Sequence, residues 1–335
     1  MPSPSQSDLH VNVPLTNISI AYMQKADAYI ANKVFPRVPV QKQSDMYWKY
    51  TKSDWRRTDV QKRAPGTESA GVGWKVDTDT YFAHPYAVHK DIDDQLRANA
   101  DSNWSLDRDS TTFITNQMLI KRDLDWANAF FKTGVWGSDQ TGVAASPTTN
   151  QFLQFDDPAS DPISLFAMAQ IKFVEQTGYK ANTLVMGAQV LRVLKEHPDI
   201  IDRIKYTQKG IVSTDLLATL FDVDKILVSY ASSTNVAEQA DGRLQDAAAT
   251  YAFINDPYSM LLCYSASSPS LMTPTAGYTF TWNGYSNGNG QGIRVKNFRM
   301  EHLEVDRIEA TMTYDMKVVS PDMGIFYSAA VATVS

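Results

Sequence analysis

The chain has 335 residues, 43% of them hydrophobic and 20% charged, which is the balance of a soluble globular protein and not of a disordered or membrane-embedded one. Its formal net charge of −6 argues against wrapping nucleic acid with a broad basic surface, and its single cysteine, Cys263, excludes an internal disulfide or a zinc site of several thiolates and fits a reducing cytoplasm. No apolar run approaches the roughly 18 residues of a membrane-spanning helix, and the opening MPSPSQSDLHVNVPL lacks the charged-then-apolar order of a secretory signal.

Residues 1–35 read as an arm ending in a short helix around Ala21 to Ala31, too short to stand without something to lie on. From Val38 to Asp91 the pattern predicts two long strands and a wide tip. The second strand is the clearer, with Trp74, Val76, Thr78, Thr80, Phe82, His84, Tyr86 and Val88 on one face. The tip carries Arg56, Arg57, Lys62 and Arg63 ahead of a Pro65-Gly66 turn, and it has too few aliphatic residues to form a core. Trp48, Trp55 and Trp74 therefore stand on an arm with little beneath them; large aromatics in such places meet another surface, either a second subunit or the body of their own chain.

A long helix is expected over residues 105–134, capped by Ser105 and stopped by Gly134, with Phe113, Gln117, Ile120, Leu124, Ala127 and Phe131 as its inward stripe. A polar connection leads to a second helix with Asp161 as cap, Pro162 at its first position, Ile163, Phe166, Ala169 and Phe173 inward, and Gly178 past its end. An alternating α/β segment follows, with NTLVMG as a buried strand, a helix closed by Pro198, a further helix and strand, and strands in YAFINDPYSMLLCYS before a glycine-rich loop, Asn283 to Gly292. The sharpest alternation comes last: Ile308, Ala310, Met312, Tyr314, Met316 and Val318 form a dry face against Arg307, Glu309, Thr311, Thr313, Asp315 and Lys317 on a wet one.

The residues offer little chemistry. No HExxH, Walker loop or GxSxG occurs. His84 and His89 lie five apart on a predicted strand and so on opposite faces, with His84 expected on the dry one. Asp91, Asp93 and Asp94 lack the glycine-turned frame of a calcium loop and read as the solvated end of an element. No catalytic residue, cofactor or metal ligand is therefore assigned.

The stretches AYIANKVFPRVPVQKQSDMYWKY, RAPGTESAGVGWKVDTDTYFAHPYAVHKDI and LDRDSTTFITNQMLIKRDLDWANAFFKTGVWG resemble sequence blocks of the major capsid proteins of tailed bacteriophages, whose fold is named after phage Hong Kong 97. The resemblance implies an α+β fold with an N-terminal arm (1–35), an extended β-hairpin loop (36–90), and a peripheral domain (91–159) containing a spine helix (105–134). A mainly axial domain (160–285) and C-terminal strands of the peripheral domain (286–335) complete it. It also implies a non-enzymatic shell subunit assembled in the host bacterial cytoplasm into pentamers and hexamers of the virion. The shell would enclose double-stranded DNA without sequence-specific binding, with separate scaffolding, portal or decoration proteins as further partners and no membrane. Trp48, Trp55, Arg56, Arg57, Lys62, Arg63 and Trp74 become candidate inter-subunit contacts. Two alternatives stay open: an encapsulin-like nanocompartment shell, and an α/β enzyme with a β-rich extension.

Overall fold

The computed structural model describes residues 24–100, 105–205, 212–234, 250–270, 273–285 and 292–333. The alternation at the C-terminal end makes a strand with one face that must be buried, and this strand, β14 (Val305–Val318), organises a five-stranded sheet. β4 (His84–Asp93) runs antiparallel along one side of it, from Asp93 opposite Val305 to His84 opposite Tyr314. Along its other side lie β13 (Ile293–Met300) and β12 (Gly277–Trp282), and β1 (Arg37–Val40) adds parallel to β12. Ile308, Ala310, Met312 and Tyr314 are buried as expected. The other face is not wet along its middle, because Thr311 and Thr313 are buried too, and the Thr313 hydroxyl donates to the Trp282 carbonyl at 3.0 Å.

A second sheet has six strands in the order β6 (Gln151–Leu153), β5 (Ser138–Val143), β15 (Gly324–Ser328), β11 (Met260–Cys263), β7 (Thr183–Gly187), β8 (Lys225–Ser229). Every residue of β7 and β11 is buried, as befits strands covered on both faces. The two sheets cut across chain order. β12 precedes residue 285 yet joins β14, while β5 and β6 precede residue 159 and β15 follows 286, yet all three share a sheet with β7.

Between the sheets runs α4 (Leu106–Phe130), 25 residues and so roughly 37 Å long. Its buried stripe is Ile114, Met118, Arg122, Asp123, Trp126 and Phe130. The expected stripe is displaced by about one residue: Phe113 is 56% exposed and Gln117 is exposed, because adjacent apolar pairs at 113/114 and 130/131 satisfy either register and packing against β14 selects one. Ser105 holds the cap position without making the side-chain bond. Ile114 and Met118 join Ile92, Ile308 and Met312 in one hydrophobic cluster, whereas Trp126 and Phe130 belong to the larger one around the six-stranded sheet.

The helix between those clusters holds down the start of the described chain. The Asp123 carboxylate accepts from the backbone N–H groups of Ala31 (2.9 Å) and Ile30 (3.2 Å), capping the four-residue α1 (Ala31–Val34). Tyr29 adds a hydroxyl bond to Asn116 at 2.7 Å, and the Val34 carbonyl accepts from Ser265. The helix expected at Ala21 to Ala31 is thus a single 3-10 turn, Ala26–Ala28, followed by α1; residues 1–23 of the expected arm lie outside the described residues.

α5 (Pro162–Thr177) matches its sequence signals residue by residue. Asp161 accepts from the Ser164 N–H at 2.8 Å, Ile163, Phe166, Ala169 and Phe173 are buried, and Gly178 takes φ +78°. Pro198, expected only to close a helix, also opens the next one, α7 (Pro198–Ile204), after α6 (Ala188–Glu196). α8 (Thr214–Phe221) precedes β8, after which β9 (Ser232–Thr234) and β10 (Tyr251–Phe253) pair antiparallel in a small ribbon. Of the expected glycine-rich loop, residues 286–291 lie outside the described residues.

Removing a buried carboxylate that caps two backbone donors should be costly. Asp123→Ala is expected to lower folding stability by about 2–4 kcal/mol, and Asp123→Asn, which keeps one acceptor oxygen, by less; urea denaturation measures both.

Candidate assembly interface

The long second strand expected from Trp74 to Val88 is two strands. β3 (Val76–Phe82) pairs antiparallel with β2 (Ser44–Tyr50) in a separate ribbon, and the break before β4 falls at buried Ala83, whose N–H donates to the Gln43 carbonyl at 2.9 Å. The inward face changes phase there, from Tyr81 before the break to Tyr86, Val88 and Ile92 after it. Phe82 consequently points into solvent instead of onto a dry face, whereas His84 shares the inward side of β4 with Tyr86 as expected but lies at its open end and is exposed, the two rings 4.7 Å apart.

The ribbon rests on the body through its base. Tyr81 stacks on Phe280 at 4.6 Å and Tyr47 approaches the same ring at 5.3 Å. Farther out, α2 (Lys52–Arg56) is tied down by an ion pair from Lys52 to Asp322 and by Arg56, which donates to the Gln176 carbonyl at 2.7 Å. Beyond these tethers every residue from Trp55 to Thr78 is exposed. The tip is ordered by its own polar bonds. Thr67 N–H donates to Ala64 O at 3.3 Å across Pro65-Gly66, with Gly66 at φ +83°, the conformation this turn requires of its third residue. Arg63 donates to the Thr67 carbonyl, and Arg57 donates to the Gly73 carbonyl at 2.6 Å while pairing with Asp54 and Asp59.

Trp55 and Trp74 meet at 6.2 Å, and both pack on Tyr50, a residue absent from the sequence-derived set although it shares a strand face with Trp48. They remain 54% and 58% exposed, and Trp48 is 66% exposed. The structure therefore gathers Trp55, Trp74, Arg56 and Arg57 around α2, leaves Lys62 and Arg63 in the outer tip, and sets Trp48 on the ribbon. Sequence analysis also missed exposed Met46 and Phe113 and the outward row Met168, Ile171 and Val174 on α5; their spacing alone did not separate outward from inward positions.

Catalytic alternatives find little support in the geometry. Ser160 Oγ lies 2.9 Å from His197 Nε2, both residues buried, but His197 Nδ1 accepts from the Asp199 N–H. Nε2 must then carry the ring hydrogen and donate to Ser160, whose own hydroxyl donates to the Asp157 carbonyl at 2.7 Å. That tautomer, assigned from the bonding partners, offers serine no base. A cleft of about 610 Å³ beneath the ribbon is lined by Val38, Tyr47, Tyr50, Tyr278 and Phe280, and Lys49 is the one charged residue along it. Among the described residues no group of three or more His, Cys, Asp or Glu side chains could hold a metal, and no helix is long and apolar enough to cross a membrane. Burial pushes the Cys263 thiol up to about 12, which leaves it unreactive.

The acidic run at the end of β4 is claimed by arginines. Asp91 forms a two-bond pair with Arg307 (2.7 and 2.8 Å) and Asp94 with Arg299 (2.6 Å each), while Arg97 on α3 (Asp94–Asn99) bridges Asp107 and Asp306. Asp93 caps α3 through the Gln95 N–H. Hydrogen bonds from these arginines hold the carboxyls of Asp91, Asp94 and Asp107 below their ordinary range.

No protein-family model matches the chain. Two curated relatives do: the major capsid protein of Pseudomonas phage JBD67, 23% identical over 333 residues covering 98% of this chain and 99% of that one, and the major capsid protein of Burkholderia phage BcepMu, 24% identical over 222 residues covering 66% and 69%. Among solved structures, a phage-related protein from Bordetella bronchiseptica superposes with a TM-score of 0.66 at 18% identity, covering 92% of this chain and 95% of that one. The capsid of cyanophage P-SCSP1u gives 0.61 at 12%, covering 98% and 99%. An encapsulin from Synechococcus elongatus gives 0.54 at 9%, covering 96% of each. The chain thus has the α+β fold of phage capsid subunits, which encapsulins share.

Two measurements follow from the site. Replacing Trp55 and Trp74 together by Ser should cost less than about 1 kcal/mol of folding stability in the unassembled chain, since both rings are largely in water already; a larger loss in a urea melt would mark the cluster as core. The lowered carboxyls contribute stability that is complete above about pH 4 and is lost as pH falls through their lower folded values. The melting temperature should therefore fall on acidification below about pH 4, and by less in the Arg299→Ala/Arg307→Ala double variant, in which Asp94 and Asp91 lose the bonds that lower them while Asp107 keeps Arg97.

Proposed function

We infer that this chain is a major capsid protein of a bacteriophage, a structural subunit of the virion that assembles with copies of itself into a shell. The observation that carries the reading is the end-to-end similarity to the JBD67 major capsid protein, joined to a fold shared with capsid subunits. At the finer level the proposed plan is the Hong Kong 97 type. The arm leads into an extended loop made by the β2–β3 ribbon and its tip, and α4 is the spine helix. The five-stranded sheet belongs to the peripheral domain and the six-stranded sheet with α5 to α8 to the axial domain.

In this reading each subunit makes head-to-tail contacts that close into pentamers and hexamers of an icosahedral shell around double-stranded DNA. Interfaces of this obligate kind commonly bury roughly 2,000 Å² or more. The net charge of −6 suits a wall that encloses DNA without gripping it. The subunit carries out no catalysis of its own, assembles in the host cytoplasm, and works beside separate scaffolding, portal or decoration proteins. The encapsulin reading rests on fold likeness alone, whereas both curated relatives are phage proteins.

Size-exclusion chromatography and negative-stain imaging of the chain recovered from infected cells, where any separate scaffolding protein is present, test the reading: closed particles are expected, and a chain found only as a monomer overturns it. DNA rather than a protein cargo inside particles from infected cells separates phage head from nanocompartment. Deleting residues 56–66 removes the basic tip without touching either core, so a soluble subunit that forms no shells is expected.

A further inference from the structure

We propose that the five-stranded sheet binds single-stranded nucleic acid on the face of β13 that α4 does not cover, with bases stacking on exposed rings and phosphates meeting two cations. The inference does not depend on the shell reading. From Pro257 to Met300 the chain has no aspartate or glutamate, although its formal net charge is −6. The cations in that stretch, Arg294, Lys296 and Arg299, all lie on β13.

Side chains alternate along a strand, so Arg294, Lys296 and Phe298 share one face, opposite Thr311, Glu309 and Arg307 of β14. The helix packs on the other face, through Ile308 and Met312. Tyr285, in the turn after β12, joins the row: the Lys296 ammonium stands 6.0 Å from its ring centroid, and Arg294 donates to its carbonyl at 3.1 Å. Its ring also stacks on Trp282, with centroids 5.5 Å and planes 19° apart.

Two features distinguish this row from an ordinary solvated edge. The first is charge. Other arginines of the sheet are claimed, Arg299 by Asp94 and Arg307 by Asp91. Among the described residues neither Arg294 nor Lys296 forms an ion pair, and Glu309, set opposite Lys296 by the register, accepts from the Thr311 hydroxyl at 3.4 Å. The second is the rings. Tyr285 is 44% exposed and Phe298 41%, and Arg294, Lys296 and Phe298 follow one another at about 7 Å along the strand. Cations and aromatic faces on one line are what tracks a phosphate backbone while holding its bases.

This mixture selects the ligand. A duplex offers phosphates to Arg294 and Lys296 but keeps its bases in its own stack, and an acidic protein segment likewise leaves both rings bare. Unpaired bases use the whole row.

The test titrates the full chain, dilute enough that light scattering shows no particles, into labelled oligothymidylate and into a DNA duplex of the same length, with oligoglutamate as a competitor. The variants are Arg294→Ala/Lys296→Ala, Tyr285→Leu and, as a control at the basic tip, Lys62→Ala/Arg63→Ala. All should melt with the wild type, and because the two sheet variants remove different groups, either one that does so decides the outcome. Oligothymidylate should bind more tightly than duplex. The double sheet variant should weaken binding at least about tenfold and flatten the slope of log affinity against log salt by about 1.4, the share of two phosphates. Tyr285→Leu should weaken binding about tenfold and leave that slope unchanged, and the tip variant should bind as the wild type does. No binding, binding lost in the tip variant and kept in the sheet variants, or a preference for duplex overturns the proposal. Oligoglutamate that displaces the label as well as unlabelled oligothymidylate assigns the face to an acidic protein segment and overturns it too.

Discussion

The buried face of α4 is the constraint on which the rest of the subunit depends. One rigid rod supplies Ile114 and Met118 to the core under β14 and Trp126 and Phe130 to the core of the six-stranded sheet, so neither sheet can shift without dragging its side of the helix. Midway along, where the two cores give out, the stripe turns polar, and Arg122 and Asp123 fill it. Burial pushes Arg122 down to about 10 and raises the Asp123 carboxyl, a penalty offset by the two backbone bonds that Asp123 makes to α1. The same helix that joins the sheets thus fixes where the arm leaves the body.

Against that rigid frame the ribbon is held lightly. A two-stranded ribbon is marginal by itself in water. Here its support on the body is the contact of Tyr81 and Tyr47 with Phe280, the Phe82 N–H bond to the Asp315 carboxylate at 2.9 Å, the exposed Lys52–Asp322 ion pair and the Arg56 bond to the Gln176 carbonyl. Exposed ion pairs contribute little. A stiff body with a lightly tethered loop lets the loop give while the sheets do not.

How much was legible depended on how many independent signals converged. α5 carried a cap, a proline at its first position, an inward row and a terminal glycine, and all held. α4 was legible in extent but not in rotation, because Phe113 beside Ile114 and Phe130 beside Phe131 leave the angle to tertiary packing. The β3–β4 break was hidden because even-numbered apolar residues continue through Ala83 while the inward face swaps. Thr311 and Thr313 read as wet because a hydroxyl can be buried once it finds a carbonyl, which sequence does not show. Of the interface candidates, composition revealed the tryptophans and arginines, but their placement around α2, on the ribbon and in the tip became visible only once β2 was seen to pair with β3.

The place of β15 bears on how the chain reaches this state. It lies between β5 and β11, so the β6–β5 pair and the β11–β7–β8 trio remain unjoined until residue 328 has left the ribosome. Likewise β1 waits for β12, some 240 residues downstream. A nascent subunit that has not yet released residue 328 cannot join the two halves of this sheet.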